Sequence, residues 1–225
     1  METSLHRQLK ELYAPDASLQ EVQIDGYRID AVADGRLIEI QFSSLGAIRP
    51  KIRTLLKTHD VLVVKPLAAR KYLIKRNRKQ GKIVSKRYSP KRETVYNLFD
   101  DLVHFVDLFP HPRLTLEVVL TEQEEHRVTV RKRRARSKDY RTVDRTLRSV
   151  QDRLELRTIS DLLALLPHNL PEPFSTEDIA RLAEIPRWLA QKMAYCLRKT
   201  GAATIAGKRG NAVLYCAGSA GDAAA

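Results

Sequence analysis

Residues Tyr27 to Ser44 read YRIDAVADGRLIEIQFSS, and this stretch predicts a tight β-hairpin. Asp34-Gly35 is typical of two-residue hairpin turns, so the strand after it should fold back beside the strand before it. Successive side chains of a strand point to opposite faces, which places Glu39 and Gln41 on the same face. Asp30 lies on the preceding strand. Two carboxylates and an amide should therefore converge at one edge of a small sheet.

This convergence predicts a divalent metal site. Asp30 and Glu39 supply hard oxygen ligands on adjacent strands, which suits Mg²⁺ or Mn²⁺ better than Zn²⁺. The backbone carbonyl of Ile40 is placed to act as a third ligand, and Glu11 or Glu21 could complete a second metal shell. Phosphodiester hydrolysis needs a metal that polarises the phosphate and lowers the pKa of the attacking water. The hairpin therefore indicates metal-dependent hydrolysis of a phosphodiester.

The segments on either side of the hairpin predict an α/β order. Ser4 to Tyr13 has a leucine stripe at helical spacing and is followed by a proline, so it predicts an amphipathic helix. Leu45 to His59 predicts a second helix. Asp60 to Lys65 (DVLVVK) is typical of a strand buried on both faces. Because a strand-helix-strand crossover implies parallel pairing, we expect an α/β domain with a mixed sheet flanked by helices.

The rest of the chain is predicted to extend this domain and then to change character. A second hairpin is expected over Lys71 to Tyr88, a helix over Val95 to Phe109, a strand over Leu114 to Leu120 and a polar helix over Tyr140 to Leu156. We place a domain boundary near Arg157. This gives a first domain of residues 1–157, a smaller domain of residues 158–217 and a tail, residues 218–225, that should be disordered.

The acidic motif resembles that of the PD-(D/E)xK, restriction-endonuclease-like nuclease superfamily. That core runs α-β-β-β-α-β, with an Asp and an (Asp/Glu)-x-Lys on consecutive strands; Asp30 matches the first acid and Glu39 the second. IEIQFSS, preceded by Arg28-x-Asp30, is also similar to nucleases related to bacterial competence proteins, which use E-x-Q. The resemblance covers roughly Ser4 to Pro66. It implies a restriction-endonuclease-like fold and Mg²⁺-dependent cleavage of DNA.

Gln41 stands where this superfamily most often has lysine. Lysine offers a positive charge to the phosphate, whereas glutamine offers only a dipole that orients water or a phosphate oxygen. Lys51, in the helix that follows, could supply that charge from another element. A solvated helix lysine is the alternative interpretation of Lys51.

The segment from Phe174 to Cys216 resembles a winged helix-turn-helix domain. A capped helix, a short turn, a second helix ended by Gly201 and a hairpin with a basic tip follow one another. The resemblance implies a recognition helix that meets the major groove and a wing that touches phosphate or the minor groove. The recognition residues would be Arg187, Trp188, Gln191, Lys192 and Tyr195, and the wing residues Lys208 and Arg209. Dimerisation or protein contact is the alternative use of such a domain.

The net charge of +13 and the pI of about 9.9 indicate a nucleic-acid partner, because the basic residues cluster. No acidic residue occurs between Lys65 and Arg92, and Arg127 to Arg141 is almost as one-sided. A solvated charged surface is the alternative for each stretch. We expect them to contact the DNA backbone through Lys75, Arg76, Arg78 and Lys79, and through Arg131, Lys132, Arg133 and Arg134.

Two cysteines, Cys196 and Cys216, show neither metal-ligand spacing nor a disulfide framework. No signal peptide opens the chain, and no apolar run reaches bilayer length. These features predict a cytoplasmic, nucleoid-associated protein that has no membrane partner.

The sequence therefore predicts a metal-dependent DNA endonuclease that is targeted by a C-terminal winged helix. The alternative, from another class, is a catalytically inactive nuclease fold that serves as a DNA-binding or regulatory protein. RNA processing also stays open, because no residue here distinguishes ribose from deoxyribose. A homodimer is plausible, since cutting both strands with one site per chain usually needs two chains.

Overall fold

The computed structural model describes residues 3–131 and 138–218. Within these ranges the α-helices are α1 (Ser4–Tyr13), α2 (Arg49–Leu55), α3 (Leu98–Leu102), α4 (Ile159–Leu163), α5 (Thr176–Leu182) and α6 (Arg187–Lys199). Short 3-10 helices cover Ala17–Leu19, Leu45–Ala47 and Val95–Asn97. The strands are β1 (Gln20–Ile24), β2 (Tyr27–Ala33), β3 (Arg36–Ile40), β4 (Val61–Arg76), β5 (Ile83–Tyr88), β6 (Leu114–Thr129), β7 (Tyr140–Leu156), β8 (Phe174–Ser175), β9 (Ala203–Arg209) and β10 (Ala212–Ala217).

Seven strands form one large sheet in the order β1-β2-β3-β4-β6-β7, with β5 paired to β4. The β1-β2, β2-β3 and β4-β5 pairs are antiparallel. Helix α2 connects β3 to β4, which are neighbours in the sheet. The expected α/β class, with a large mixed sheet flanked by helices, is confirmed at this level of description.

The β2-β3 connection is the predicted two-residue turn. Asp34 has φ +52° and Gly35 has φ +73°, the left-handed values that this turn type requires. The register then pairs Ala31 with Ile38 and Val32 with Leu37. Because a slip of one residue would move every β3 side chain to the other face, the turn fixes which residues face the candidate site.

Helix α1 packs on β2 and β3 through two leucines of the predicted stripe, whereas the third, Leu12, is 45% exposed. Leu5 and Leu9 are fully buried, and Ile29 and Ala31 of β2 are buried as well. The N-cap is Thr3, whose side chain accepts from the His6 N–H. Burial of each leucine contributes roughly 1.5–3 kcal/mol, so tertiary packing rather than helix propensity stabilises this ten-residue helix.

The helix predicted over Tyr140 to Leu156 is wrong, because the whole segment is strand β7. The spacing of its apolar residues fits a helix, but the segment is also rich in β-branched residues, which suit strands. β7 is the last strand in the sheet order, and eight of its side chains are exposed, eight are partly exposed and one is buried. A polar, charged sequence is typical of such an edge strand. Sheet pairing therefore overrode the local periodicity.

Other elements differ from the prediction in length. The helix expected over Leu45 to His59 is a 3-10 turn followed by α2, and the helix expected over Val95 to Phe109 is a 3-10 turn followed by α3. The strand DVLVVK and the first arm of the second hairpin are one continuous strand, β4. Strand β6 likewise extends to Thr129, into the basic stretch Arg127 to Arg141. Apolar spacing located these elements but did not fix their ends.

The chain forms two compact units, each assembled from three segments. One unit contains the N-terminal segment up to Ile40, Pro66–Thr94 and Val119–Arg153. The other contains Gln41–Lys65, Val95–Val118 and the C-terminal segment from Leu154. The domain boundary near Arg157 stays a prediction, and residues 219–225 of the predicted disordered tail lie outside the described residues.

The C-terminal elements of the second unit run α4-β8-α5-α6-β9-β10 and include a three-stranded sheet in the order β8-β10-β9. Ser175 and Asp178 form a capping box at α5, and Gly201, with φ +80°, follows α6 as expected. Across residues 3–131 and 138–218, none of the helices has the length and apolar character needed to span a membrane.

Candidate functional site

Asp30 and Glu39 lie on neighbouring strands of the sheet. The β2-β3 register pairs Ala31 with Ile38, and Asp30 and Glu39 are the next residues along β2 and β3. A register continued by one step would set the two side chains on the same face, with Cβ atoms roughly 4.5–5.5 Å apart. The convergence of the two carboxylates stays a prediction.

Both carboxylates are shielded from solvent. Glu39 is 5% exposed, and the Asp30 side chain is 19% exposed. Asp30 Oδ2 accepts a hydrogen bond from the backbone N–H of Ile40 at 2.8 Å. This bond fixes the orientation of the Asp30 carboxylate against the end of β3, beside the Ile40 peptide that was predicted to supply a carbonyl ligand.

His6 is a neighbour of Asp30 that the sequence prediction missed. Its Nε2 lies 3.2 Å from Asp30 Oδ2, and its side chain is 22% exposed. The only sequence signal was spacing: His6 and Lys10 are four residues apart and therefore share one face of α1. No local pattern connects that face with a strand twenty-odd residues later, so tertiary packing was needed to find the pair.

Glu11 and Glu21, which were predicted to complete a second metal shell, lie on α1 and β1. Glu21 lies between the β1-β2 register pairs Gln20–Ala31 and Val22–Ile29, level with Asp30. Glu11 is exposed on α1. Glu21 forms ion pairs with the buried Lys10 and with Arg28. Within the described ranges, no three His, Cys, Asp or Glu side chains are grouped closely enough to hold a metal ion together. Asp30 and Glu39 are thus joined by neither glutamate in a three-residue group.

Gln41 follows β3 and belongs to a loop with defined hydrogen bonds. Its backbone N–H donates to Val64 O at 2.9 Å, and its side-chain Nε2 donates to Ser44 O at 3.0 Å. The amide thereby closes the short Gln41–Ser44 turn. Lys51 lies in α2 and is half-buried. Its predicted role as a compensating charge stays a prediction.

Lys65 is a second functional candidate that the sequence reasoning missed. It is 2% exposed, and its Nζ donates to Phe42 O at 3.2 Å and to Ser43 O at 2.8 Å. Asp101 Oδ2 lies 2.6 Å from the same nitrogen. The ammonium therefore holds the loop that carries Gln41. The only sequence signal for Lys65 was its position at the end of an apolar strand. That position indicated that Lys65 is buried but did not indicate which residue pairs with it.

Two of the basic side chains predicted to contact DNA from the second hairpin form hydrogen bonds within the protein. Lys75 Nζ donates to Asp139 at 2.7 Å, and Arg76 Nη1 donates to Gly81 O at 3.0 Å. Arg78 and Lys79 are exposed in the turn that follows. Arg131 is also exposed, whereas Lys132, Arg133 and Arg134 lie outside the described residues.

A buried carboxylate organises the cations between β4, β6 and β7. Glu125 is 3% exposed, and it accepts hydrogen bonds from Arg127 at 2.6 Å and from Arg145 at 3.0 Å. Burial alone would raise the pKa of Glu125, but these two guanidinium groups outweigh it and hold the pKa below the usual range. Burial in turn lowers the pKa of the neighbouring Lys71.

The predicted recognition helix, α6, has an exposed face and a packed face. Arg187 and Gln191 are exposed, and Trp188 and Tyr195 are 48% and 39% exposed. Lys192, by contrast, pairs with Asp100 of α3, against which α6 packs. The packed side of α6 carries the buried Leu189, Met193 and Leu197.

The predicted wing is an exposed hairpin. Lys208 and Arg209 are exposed at the β9-β10 turn, and an Arg209 guanidinium nitrogen lies 3.8 Å from Asp178 Oδ2. Hydrogen bonds from Ser175 lower the pKa of Asp178, which keeps this carboxylate charged. Lys208 has no carboxylate partner among the residues that the structure describes.

A family model described as "Domain of unknown function (DUF8091)" matches residues 3–157. The chain belongs to this family. The match contains Asp30, Glu39, Gln41 and the basic β4-β5 hairpin. A protein of Treponema pallidum (strain Nichols) that carries the name "Uncharacterized protein" is 36% identical over 215 residues. The aligned region covers 95% of this chain and 84% of that protein. No solved structure matches the chain.

Proposed function

We propose that this protein is a metal-dependent endonuclease that acts on DNA. The observation that carries the proposal is the hydrogen bond from the Ile40 N–H to the Asp30 carboxylate, which holds this carboxylate at the end of β3, next along the chain to the buried Glu39. The resemblance of this hairpin to the PD-(D/E)xK superfamily supports it. The large mixed sheet, with α1 packed on β2 and β3, is compatible with a restriction-endonuclease-like core.

The donor set suits Mg²⁺ or Mn²⁺. Mg²⁺ is usually held by one or two carboxylates, with waters and substrate phosphates completing the octahedron, so a third acidic ligand is not required. Asp30, Glu39 and the Ile40 carbonyl would hold the ion. When bound, it would polarise the scissile phosphate and lower the pKa of a water.

The remaining side chains would orient the reactants. Gln41 Nε2 donates one N–H to Ser44 O, and its second N–H can orient a water or a phosphate oxygen. His6 would fix the Asp30 carboxylate from the α1 side. Lys65 would keep the Gln41 loop in place through the Phe42 and Ser43 carbonyls.

The test is plasmid nicking with Mg²⁺ or Mn²⁺ by the wild type, by Asp30→Asn and by a matched control, Asp34→Asn. Asp34 is exposed in the turn of the same hairpin, and asparagine tolerates its positive φ. We expect Asp30→Asn to lose roughly 100-fold or more of the cleavage rate, and Asp34→Asn to lose none. Equal cleavage by Asp30→Asn and wild type, or no cleavage by the wild type, contradicts the proposed site.

The C-terminal elements would target the DNA as a winged helix. The α4-β8-α5-α6-β9-β10 order, the exposed Arg187 and Gln191 on α6 and the exposed Lys208 at the hairpin tip support this part of the proposal. Contacts of Lys208 with phosphate would add affinity without adding sequence information.

Salt dependence tests the wing. Each phosphate contact contributes a slope of about 0.9 to the dependence of log K on log salt concentration. We therefore expect Lys208→Gln to bind duplex DNA more weakly. The slope of log K against log salt concentration, measured by fluorescence anisotropy, should be smaller by about 0.9, the contribution of one phosphate contact. Lys57→Gln, which removes an exposed lysine next to α2, is the control and should keep the full slope. The same loss in both variants would mean that Lys208 acts only through net charge.

A DNA-binding protein without catalysis is the second candidate. It is favoured by the bonds that already engage the side chains: Asp30 accepts from Ile40, and the Gln41 amide donates to Ser44. Salt-dependent DNA binding without cleavage in Mg²⁺ or Mn²⁺ would select this function over the first.

A further inference from the structure

A cavity of about 470 Å³ lies in the first compact unit, and its described lining includes neither Asp30 nor Glu39. Its walls come from four places: the start of α1, the end of β4 with the turn after it, the end of β6 and the start of β7. The volume is in the range of small-molecule sites and far exceeds what one inorganic ion fills.

The lining of this cavity carries excess positive charge. Arg7, Arg76 and Lys79 line it, and none of the three has a carboxylate partner among the described residues. Within the described ranges, Arg7 Nη2 donates to Ser4 Oγ at 3.3 Å, and Arg76 Nη1 donates to Gly81 O at 3.0 Å. Each guanidinium has five N–H donors, so both keep several for a ligand.

Among the described residues, one carboxylate lines the cavity, and it already accepts hydrogen bonds from the protein. Asp144 accepts from Ser4 N at 3.0 Å, from Ser4 Oγ at 2.7 Å and from Arg145 N at 2.8 Å. Burial would raise the pKa of Asp144, but these hydrogen bonds hold it below its usual value. The carboxylate is therefore occupied by the protein and does not neutralise Arg7, Arg76 or Lys79 by pairing with them.

Another part of the cavity wall is apolar. Val128 and Val143 line the same cavity as the cations. A ligand that places a doubly charged phosphate against arginine and an apolar or aromatic ring against valine satisfies both parts of this surface. Arginine donates two parallel N–H groups to phosphate oxygens. A terminal monoester in a cavity uses these donors more fully than a backbone diester on a flat surface.

We propose that this cavity binds the phosphate monoester of a nucleotide, either as a free nucleotide or at the end of a nucleic-acid strand. The Arg7 and Arg76 guanidinium groups hold the phosphate, Lys79 adds charge from the turn, and Val128 and Val143 contact the sugar or base. The site does not involve Asp30, Glu39 or a metal ion, and it therefore goes beyond the proposed cleavage activity.

The test measures binding of fluorescent single-stranded oligonucleotides that carry a 5′-phosphate, a 3′-phosphate or only hydroxyl ends, in EDTA at fixed salt. We expect one phosphorylated form to bind about tenfold or more tightly than the hydroxyl form. Arg7→Gln and Arg76→Gln should remove this preference, and so should Lys79→Gln in part. Arg78→Gln is the matched control, since Arg78 is exposed in the same turn but does not line the cavity.

Three outcomes overturn the proposal: equal affinity for phosphorylated and hydroxyl ends, an equal loss of preference in Arg78→Gln, or loss of the preference in Asp30→Asn, which would place the phosphate at the hairpin instead. Retention in Asp30→Asn supports the cavity whether or not the protein cleaves DNA. A nucleoside monophosphate that competes where the nucleoside does not identifies a free nucleotide as a ligand. Preference for the strand without such competition identifies the strand end.

Discussion

The buried ammonium of Lys65 gives the sharpest prediction about how the Gln41 loop is held. All three of its N–H donors are used, by Phe42 O, Ser43 O and Asp101. Lys65→Met keeps most of the side-chain volume and removes the charge. The substitution leaves two loop carbonyls without this donor and a carboxylate without its cation.

The expected cost follows from these contacts. Removing one partner of a buried ion pair typically costs about 3–5 kcal/mol. The Asp101 side chain is 22% exposed and can be partly rehydrated, so we expect the low end, about 3 kcal/mol. For a chain of this size, 1 kcal/mol corresponds to about 2–4 °C, which predicts a fall in melting temperature of about 6–12 °C.

Urea unfolding and thermal melting of Lys65→Met, Asp101→Asn and the double variant measure this interaction. We expect Asp101→Asn to be less costly in the Lys65→Met background, with a coupling free energy of about 1–2 kcal/mol. Lys57→Met, which removes an exposed lysine, should unfold like the wild type. Additive single effects, or a Lys65→Met protein within about 0.5 kcal/mol of the wild type, would refute the reasoning.

Three further predictions concern the stability of the fold and the burial of a cysteine. Asp144→Asn should lower the free energy of unfolding by about 1–2 kcal/mol near neutral pH, because Ser4 donates twice to this carboxylate. The pKa of Asp144 is lowered on folding, so its stabilisation exists above the usual value of 3.8 and should vanish as pH falls below it in a pH series of urea melts. Burial raises the pKa of Cys196 to about 12, so in Cys216→Ser a thiol reagent should label Cys196 only after unfolding; rapid native labelling would contradict this burial. Gly35→Ala should cost about 1 kcal/mol because its φ is +73°, and an unchanged melting temperature would mean that the turn relaxes.

The sequence was sufficient for features that depend on neighbours along the chain. Asp34-Gly35 predicted the turn because left-handed backbone favours these two residue types, and the turn fixed the register that pairs Ala31 with Ile38. The leucine spacing likewise predicted α1 and the burial of Leu5 and Leu9. In both cases the deciding interaction spans only a few residues.

Tertiary structure decided what depends on distant partners. Tyr140 to Leu156 has apolar residues at helical spacing, yet it forms β7, because the neighbouring strand β6 supplies backbone partners along its length. His6 meets Asp30, and Lys65 meets Asp101, across separations that no local pattern encodes. Local conformational preference depends on adjacent residues. The partner of a buried charge, by contrast, is determined by the packing of the folded chain, which removes water from the charge and from its partner.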